Sequence, residues 1–229
     1  MNGQLFDGKI ETQHRRFEES NWENIYIVGD VHGCRQELDQ LLTELQLSSD
    51  DLVIFVGDLV RKGPDNRGVV DLVRTAPNMF SVRGNNEEKL LRNEKSLPDL
   101  TEDDINWIAS LPVAISWEET MVIHAGVDPR KSPSNHTIND FQNIRSLASE
   151  GGYNRPYWFD VYRGPPRVFF GHTVLESPIV REHAVGLDTG CVYGGALTAF
   201  DVCRNVTVSV ESDDTYQMRK DSKFLSISP

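Results

Sequence analysis

The sequence predicts an α/β fold in which two sheets pack together with helices outside. Two observations carry this. The first half of the 229-residue chain alternates short apolar runs with stretches of helical periodicity, the pattern of βαβ units and a parallel sheet. The second half is a succession of short β-branched and aromatic runs joined by short connections. Several of the apolar runs end in a glycine-acid signature or a lone histidine, which places chemistry at the strand ends.

The elements follow in order. Residues 25–28 form a first strand ending at Gly29. Leu38, Leu41, Leu42 and Leu45 recur at helical spacing and predict an amphipathic helix over about 35–47. Residues 52–56 are a second strand, Val69 to Val73 suit a helix, and 79–82 are a third strand. Thr101 opens a helix to about Ala109, with Asp104 in a capping-box position. Residues 113–116 and 121–123 read as a hairpin, and 139–149 as a helix. Short strands at 168–170, 179–180, 184–187, 196–202 and 206–210 follow, expected to be mostly antiparallel. Beyond Glu211 the chain reads as a tail, or as an edge strand at 224–227. One domain over 1–229 is expected, its core at about 22–210 between polar extensions.

Composition narrows the function. The formal net charge is −12, with 38% hydrophobic and 25% charged residues, an acidic balance that repels nucleic-acid backbone and anionic membrane. No run approaches the roughly 18 apolar residues of a membrane span, and residues 1–19 are too polar for a secretory leader. Cys34, Cys191 and Cys203 are odd in number and lack Cys-x-x-Cys spacing, which argues against a disulfide framework or a thiolate zinc site and for a reducing cytoplasm.

Three signatures carry chemistry: Gly29-Asp30-Val31-His32-Gly33, Gly57-Asp58-Leu59-Val60-Arg61-Lys62-Gly63 and Gly84-Asn85-Asn86-Glu87. His124 and His172 follow further apolar runs. In open α/β sheets ligands collect beyond the carboxyl ends of strands. Asp30 and His32, two apart, point the same way if extended. Asp30, His32 and Asp58 are assigned to one divalent ion, and Asp58, Asn85, His124 and His172 to a second, with Asp58 bridging. A carboxylate, amide and imidazole set suits Mn, Fe, Zn, Co or Ni, and a pair of ions about 3.5–4 Å apart would share a hydroxide that attacks phosphorus in line. His14, His136 and His183 lie in polar surroundings and are given no role.

With His124-Ala125-Gly126, Phe170-Gly171-His172-Thr173 and the long stretch from Gly186 through Asp188-Thr189-Gly190-Cys191 to Gly195, the chain resembles the phosphoprotein phosphatase branch of the calcineurin-like metallophosphoesterases. Its nearest likeness is to the ApaH-like phosphatases, relatives of symmetrical diadenosine tetraphosphatase. The resemblance covers residue 25 to about 201. It implies a four-layer α/β/β/α sandwich, metal ligands at the positions just assigned, two divalent ions with manganese foremost, and substrate phosphate held by Lys62 and Arg145, with Arg83 as a helper. For Arg83 a surface salt bridge is an equal alternative.

Two departures matter. The family's third signature carries a histidine, the expected general acid, where this chain has Asn86; its orienting aspartate is replaced by Arg61. Neither residue donates a proton near neutral pH. General acid catalysis is worth about 10²–10⁴-fold and matters most for poor leaving groups, so the loss favours phosphoanhydrides, whose leaving group Arg61 would stabilise by charge. The expected substrate is therefore a nucleoside polyphosphate such as diadenosine tetraphosphate, with a Ser/Thr phosphoprotein as alternative; a catalytically weak metal-binding scaffold is the non-enzyme alternative and a nuclease is disfavoured by charge. Specificity is expected in the loops at 128–137 and 150–166, where Tyr153, Tyr157, Trp158 and Tyr162 serve packing more readily than base stacking.

Overall fold

Alternation along the strands sorts the buried side chains into three apolar layers, and a four-layer sandwich follows. The structure is a computed structural model describing residues 8–218 and 224–227. In chain order its elements are α1 (Gly8–Glu11), β1 (His14–Arg16), β2 (Asn24–Val28), α2 (Arg35–Glu44), β3 (Asp51–Phe55), α3 (Asn66–Thr75), β4 (Met79–Ser81), α4 (Asn85–Leu91), α5 (Glu102–Ser110), β5 (Ala114–Trp117), β6 (Thr120–Ile123), α6 (Ile138–Asn143), α7 (Trp158–Val161), β7 (Arg167–Phe170), β8 (Ile179–Val180), β9 (Ala184–Gly186), β10 (Ala196–Asp201) and β11 (Val206–Glu211). One sheet has the order β11-β10-β2-β3-β4, the other β1-β5-β6-β7-β9-β8.

Ile25 and Ile27 of β2, Ile54 of β3, Val122 of β6 and Phe169 of β7 meet in the layer between the sheets. The residues that alternate with them face outward. Tyr26, Val28, Val53 and Phe55 pack under α2, α3 and α5 through Leu38, Leu41, Val69, Val73 and Ile108. Met121, Ile123, Val168 and Phe170 pack under α6 and α7 through Phe141, Trp158 and Phe159. The period of two along each strand thus serves two cores at once.

The first sheet is the parallel array that the βαβ pattern predicts, with β2, β3 and β4 in register and β10 antiparallel beside β2. The hairpin of β5 and β6 is antiparallel as expected. The expectation of mostly antiparallel pairing in the second half is corrected at β7, which pairs parallel with both β6 and β9. A parallel pair needs a long crossover, which the segment from β6 to β7 carrying α6 and α7 supplies, while β8, antiparallel to β9, reverses the chain between β7 and β9.

Helix ends are where local reading falls short. Thr101 and Asp104 form the expected capping box of α5. α2 stops at Glu44, and Gln46 turns left-handed at φ 51°. The helix expected over 139–149 ends at Asn143; Ile144 is extended, and Ser146 instead makes an antiparallel bridge to Tyr157. The polar N-terminal extension is also revised: Ile10 is buried in the second sheet's outer core and β1 pairs parallel with β5. Of the tail strand expected at 224–227, Leu225 makes a single bridge to Leu175; residues 219–223, 228–229 and 1–7 lie outside the described part.

Candidate metal centre

Both sheets deliver their strand ends to one place. Asp30 follows β2, Asp58 follows β3, Asn85 opens α4 after β4, His124 follows β6 and His172 follows β7. The first two signatures are zipped together by backbone hydrogen bonds, from His32 N to Asp58 O at 2.8 Å, Gly33 N to Leu59 O at 2.8 Å and Gly63 N to His32 O at 2.7 Å. Asp30 and His32 converge for a reason other than extended geometry, because His32 is left-handed at φ 54°. Asp58, Arg61, Lys62 and His172 also have positive φ. Such strain in non-glycine residues persists only where the surroundings over-determine it, and it gathers at working sites. Close approach matters at Gly171, where any Cβ would overlap Asp30 Oδ1.

The six predicted ligand residues come together and are all buried. Single donor atoms of Asp30, His32 and Asp58 lie within 4.8 Å of one another, as do those of Asp58, His124 and His172. Asp58 therefore belongs to both triads. Its Oδ2 is 3.7 Å from His32 Nε2 and its Oδ1 is 3.4 Å from His124 Nε2. Asn85 Oδ1 lies 3.0 Å from His124 Nε2 and 2.9 Å from His172 Nδ1. His124 Nδ1 is 2.9 Å from Val56 O, and His32 Nδ1 is 3.3 Å from Val60 O. A carbonyl only accepts, so each Nδ1 carries the hydrogen and each Nε2 presents a lone pair to the centre, the second-sphere arrangement of metal-binding imidazoles.

The electrostatics agree. Burial, then Lys62, takes the His32 imidazole down to about 3, and burial also lowers His124 and His172. All three are neutral, the ligating form. Burial, then Asp188 and Asp58, pushes the Asp30 carboxyl well up. Burial alone would raise Asp58, but His124, His32 and Lys62 outweigh it and hold the carboxyl at about 2. Lys62 Nζ stands 2.6 Å from His32 Nε2. Two buried carboxylates, one amide oxygen and three neutral imidazoles form a donor set that divalent cations would neutralise and satisfy.

The cavity, about 500 Å³, is lined by five of the six residues just described and by Arg61, Lys62, Asn86, Arg145 and Asp188. Arg145 donates to His172 O at 3.0 Å and lies 5.0 Å from the Tyr153 ring. Asn86 sits between Arg61 and Asp58: Arg61 Nη1 donates to Asn86 Oδ1, and Asn86 Nδ2 donates to Asp58 Oδ2. Of the four loop aromatics, Tyr153 reaches this cavity; Tyr157 and Trp158 are buried and Tyr162 packs against the outer core. His14, His136 and His183 lie elsewhere.

Arg83 is the correction among the phosphate-binding expectations. It is buried away from the cavity and its donors are taken by Glu88 Oε2 at 3.0 Å, Gln13 Oε1 at 2.5 Å and the carbonyls of Ala109 and Leu111 at 3.2 Å. The ion pair of the alternative is present, with Glu88, but it is buried and not at the surface. We expect Arg83→Met to cost about 1.5–3 kcal/mol, a Tm drop of about 3–12 °C, with kcat/KM on phosphate substrates little changed; differential scanning calorimetry and steady-state kinetics check both.

Sequence reasoning missed three contributors. Lys89 lines the cavity one helical turn after Asn86, where an i, i+3 reading of α4 would have found it. Asp188 lines it from within a motif whose parts were not separated. Glu87 is fully buried and accepts from the backbone N–H of Asp58, Val60 and Gly84 at 2.8–3.2 Å, so it fastens the second signature to the third. Burial, then Asp58, raises its carboxyl to about 8.

Fold and site together define a metal-dependent hydrolase of phosphate ester or anhydride bonds. The chain belongs to the calcineurin-like phosphoesterase family, whose profile matches residues 23–202. It is 27% identical over 242 residues to the asymmetrical bis(5'-nucleosyl)-tetraphosphatase PrpE of Oceanobacillus iheyensis, covering 87% of this chain and 97% of that one. It is 27% identical over 219 residues to serine/threonine-protein phosphatase 1 of Salmonella typhimurium, covering 82% and 96%. A crystal structure described as that of "a putative diadenosine tetraphosphatase" superposes with a TM-score of 0.78 at 30% identity, covering 87% of this chain and 98% of that one.

Proposed function

We propose that this protein is a single-domain, cytoplasmic two-metal phosphohydrolase that prefers phosphoanhydrides, with nucleoside polyphosphates such as diadenosine tetraphosphate as substrate class. The observation that carries the substrate preference is the Arg61–Asn86–Asp58 chain of hydrogen bonds. Asp30, His32 and Asp58 would hold one ion, and Asp58, Asn85, His124 and His172 the other, with manganese the leading candidate. When bound, the pair supplies Lewis-acid charge and activates water for in-line attack. The chain's own groups do the rest. Lys62 and Arg145 orient the phosphoryl oxygens, Arg145 with a planar fork and Lys62 as a point charge. Arg61 faces the leaving oxygen and stabilises its negative charge without transferring a proton. The tetraphosphatase name of the Oceanobacillus relative supports the substrate class, and the three unpaired cysteines support a reducing compartment.

Steady-state kinetics on diadenosine tetraphosphate, p-nitrophenyl phosphate and a phosphoserine peptide, run separately with Mn, Fe, Zn, Co and Ni, test the reading. Preference for the anhydride with manganese is expected. Equal kcat/KM on all three substrates removes the argument from the missing acid, and a preference for phosphoserine puts the protein with the Salmonella phosphatase. Fewer than one ion bound after manganese supplementation, with no turnover, favours the scaffold.

A further inference from the structure

We infer that Cys34, Glu37 and Cys191 form a second metal centre, apart from the catalytic cavity, that takes one thiophilic divalent ion such as zinc. Cys34 stands immediately before α2, Glu37 lies in its first turn, and Cys191 opens the single-turn helix Cys191–Tyr193. Far apart in sequence, these residues give no Cys-x-x-Cys signal. In the fold one donor atom of each lies within 4.8 Å of the others. All three are at most 2% exposed.

The bland account is that two cysteines pack as small apolar side chains, and both do belong to the core under α2. That account leaves Glu37 unexplained. Its Oε1 accepts from Ser212 Oγ at 2.5 Å and Tyr216 Oη at 3.0 Å. Its Oε2 is equally buried and has no hydrogen-bond partner among the described residues. A bare buried acceptor costs about 1–3 kcal/mol, more when charged, and each such group in a native structure calls for a reason, an ion among them. Here the neighbours are two thiols, whose sulfurs and a Glu37 carboxylate oxygen lie within 4.8 Å of one another.

Two sulfurs and a carboxylate oxygen are a soft, compact set that fits zinc and excludes magnesium or calcium. The six candidate ligands of the catalytic centre offer only nitrogen and oxygen, and no thiol lines that cavity, so the two centres select by different chemistry. Binding releases the thiol protons to solvent, while Ser212 and Tyr216 hold the carboxylate from behind as outer-sphere partners. The ion would join the loop that begins at His32 to the turn that begins at Asp188, and both of these residues line the catalytic cavity.

Cobalt is the probe, because thiolate-to-cobalt charge transfer gives a near-ultraviolet band that nitrogen and oxygen ligands cannot. The full chain with Cys203→Ser, which removes the exposed third thiol, is titrated with cobalt and followed by absorbance. We expect a charge-transfer band with the intensity of one thiolate-bound ion, complete by about three equivalents of cobalt, because the catalytic centre takes two ions that add nothing to it. It disappears in Cys191→Ser, and Glu37→Gln weakens binding by about tenfold or more, since losing even an outer-sphere partner costs that much. No band from the folded parent, or a band that survives Cys191→Ser, overturns the proposal. Should Cys191→Ser fail to fold, Glu37→Gln decides: it keeps both thiols and the side-chain volume, and cobalt affinity equal to the parent's overturns the proposal. The readout is independent of phosphate hydrolysis, so failure here leaves the catalytic reading intact and failure there leaves this one intact.

Discussion

Asp58→Asn lowers kcat by about 10³-fold on every phosphate substrate and leaves the protein unable to hold its full complement of ions. The reason is position. Asp58 is the residue common to both donor triads, so its charge is the one that both ions would use. Ions in such a site contribute several kcal/mol of transition-state stabilisation, and about 4 kcal/mol corresponds to roughly 10³-fold. Asparagine keeps the side-chain volume and an oxygen to accept the backbone N–H of Asn86, which in the parent bonds Asp58 Oδ1 at 2.9 Å. The fold should therefore survive, with an unchanged far-ultraviolet circular dichroism spectrum. Metal content after gel filtration, measured beside kcat, separates this outcome from misfolding. A folded variant within tenfold of the parent's kcat would mean that Asp58 is not shared between ions, and the two-metal reading would fall.

The positions of these residues were legible because they are tied to strong local signals. Runs such as Ile25 to Val28 and Leu52 to Val56 are β-branched, aliphatic or aromatic, and glycine ends each of them, so strand and strand end are fixed by neighbours in sequence. What sits past a strand end then follows from topology. Orientation was less legible. His32 reaches Asp30 through a left-handed turn whose geometry depends on hydrogen bonds to the second signature, 26 to 31 residues away in sequence. Arg83 was undecidable from its own neighbourhood, because Gln13 and the carbonyls that hold it come from other parts of the fold. β1 was invisible, since His14-Arg15-Arg16 has no apolar alternation and is a strand only because β5 offers an edge. The cluster of Cys34, Glu37 and Cys191 was hidden for the same reason: only the close packing of α2 against the single-turn helix at Cys191 brings it together. Local chemistry survives in the sequence, whereas pairings between distant segments do not.

The pair Arg61 and Asn86 yields the second large effect, and the geometry changes how it must be tested. On sequence grounds Asn86→His alone restores the missing acid. In the structure Arg61 Nη1 donates to Asn86 Oδ1 and Asn86 Nδ2 donates to Asp58 Oδ2, so an imidazole placed there faces a guanidinium on one side and, on the other, a carboxylate whose charge both ions would take up. A like charge at contact disfavours the imidazolium, and a histidine that does not protonate cannot act as an acid. Asn86→His should therefore gain little on a phosphoserine peptide and lose activity on diadenosine tetraphosphate, because it breaks the hydrogen bonds from Arg61 and to Asp58. Arg61→Asp with Asn86→His removes the repulsion and supplies a carboxylate that favours the protonated ring. We expect the double variant to raise kcat on phosphoserine by about 10²-fold over either single variant, the low end of what a positioned acid contributes. On the anhydride it should fall by about 10²–10³-fold, the usual cost of deleting one donor to a developing negative charge. Double-mutant-cycle analysis of kcat on the two substrates reads the coupling directly. Additive effects on both would show that Arg61 and Asn86 act independently, and the substrate preference would then rest on contacts other than this pair.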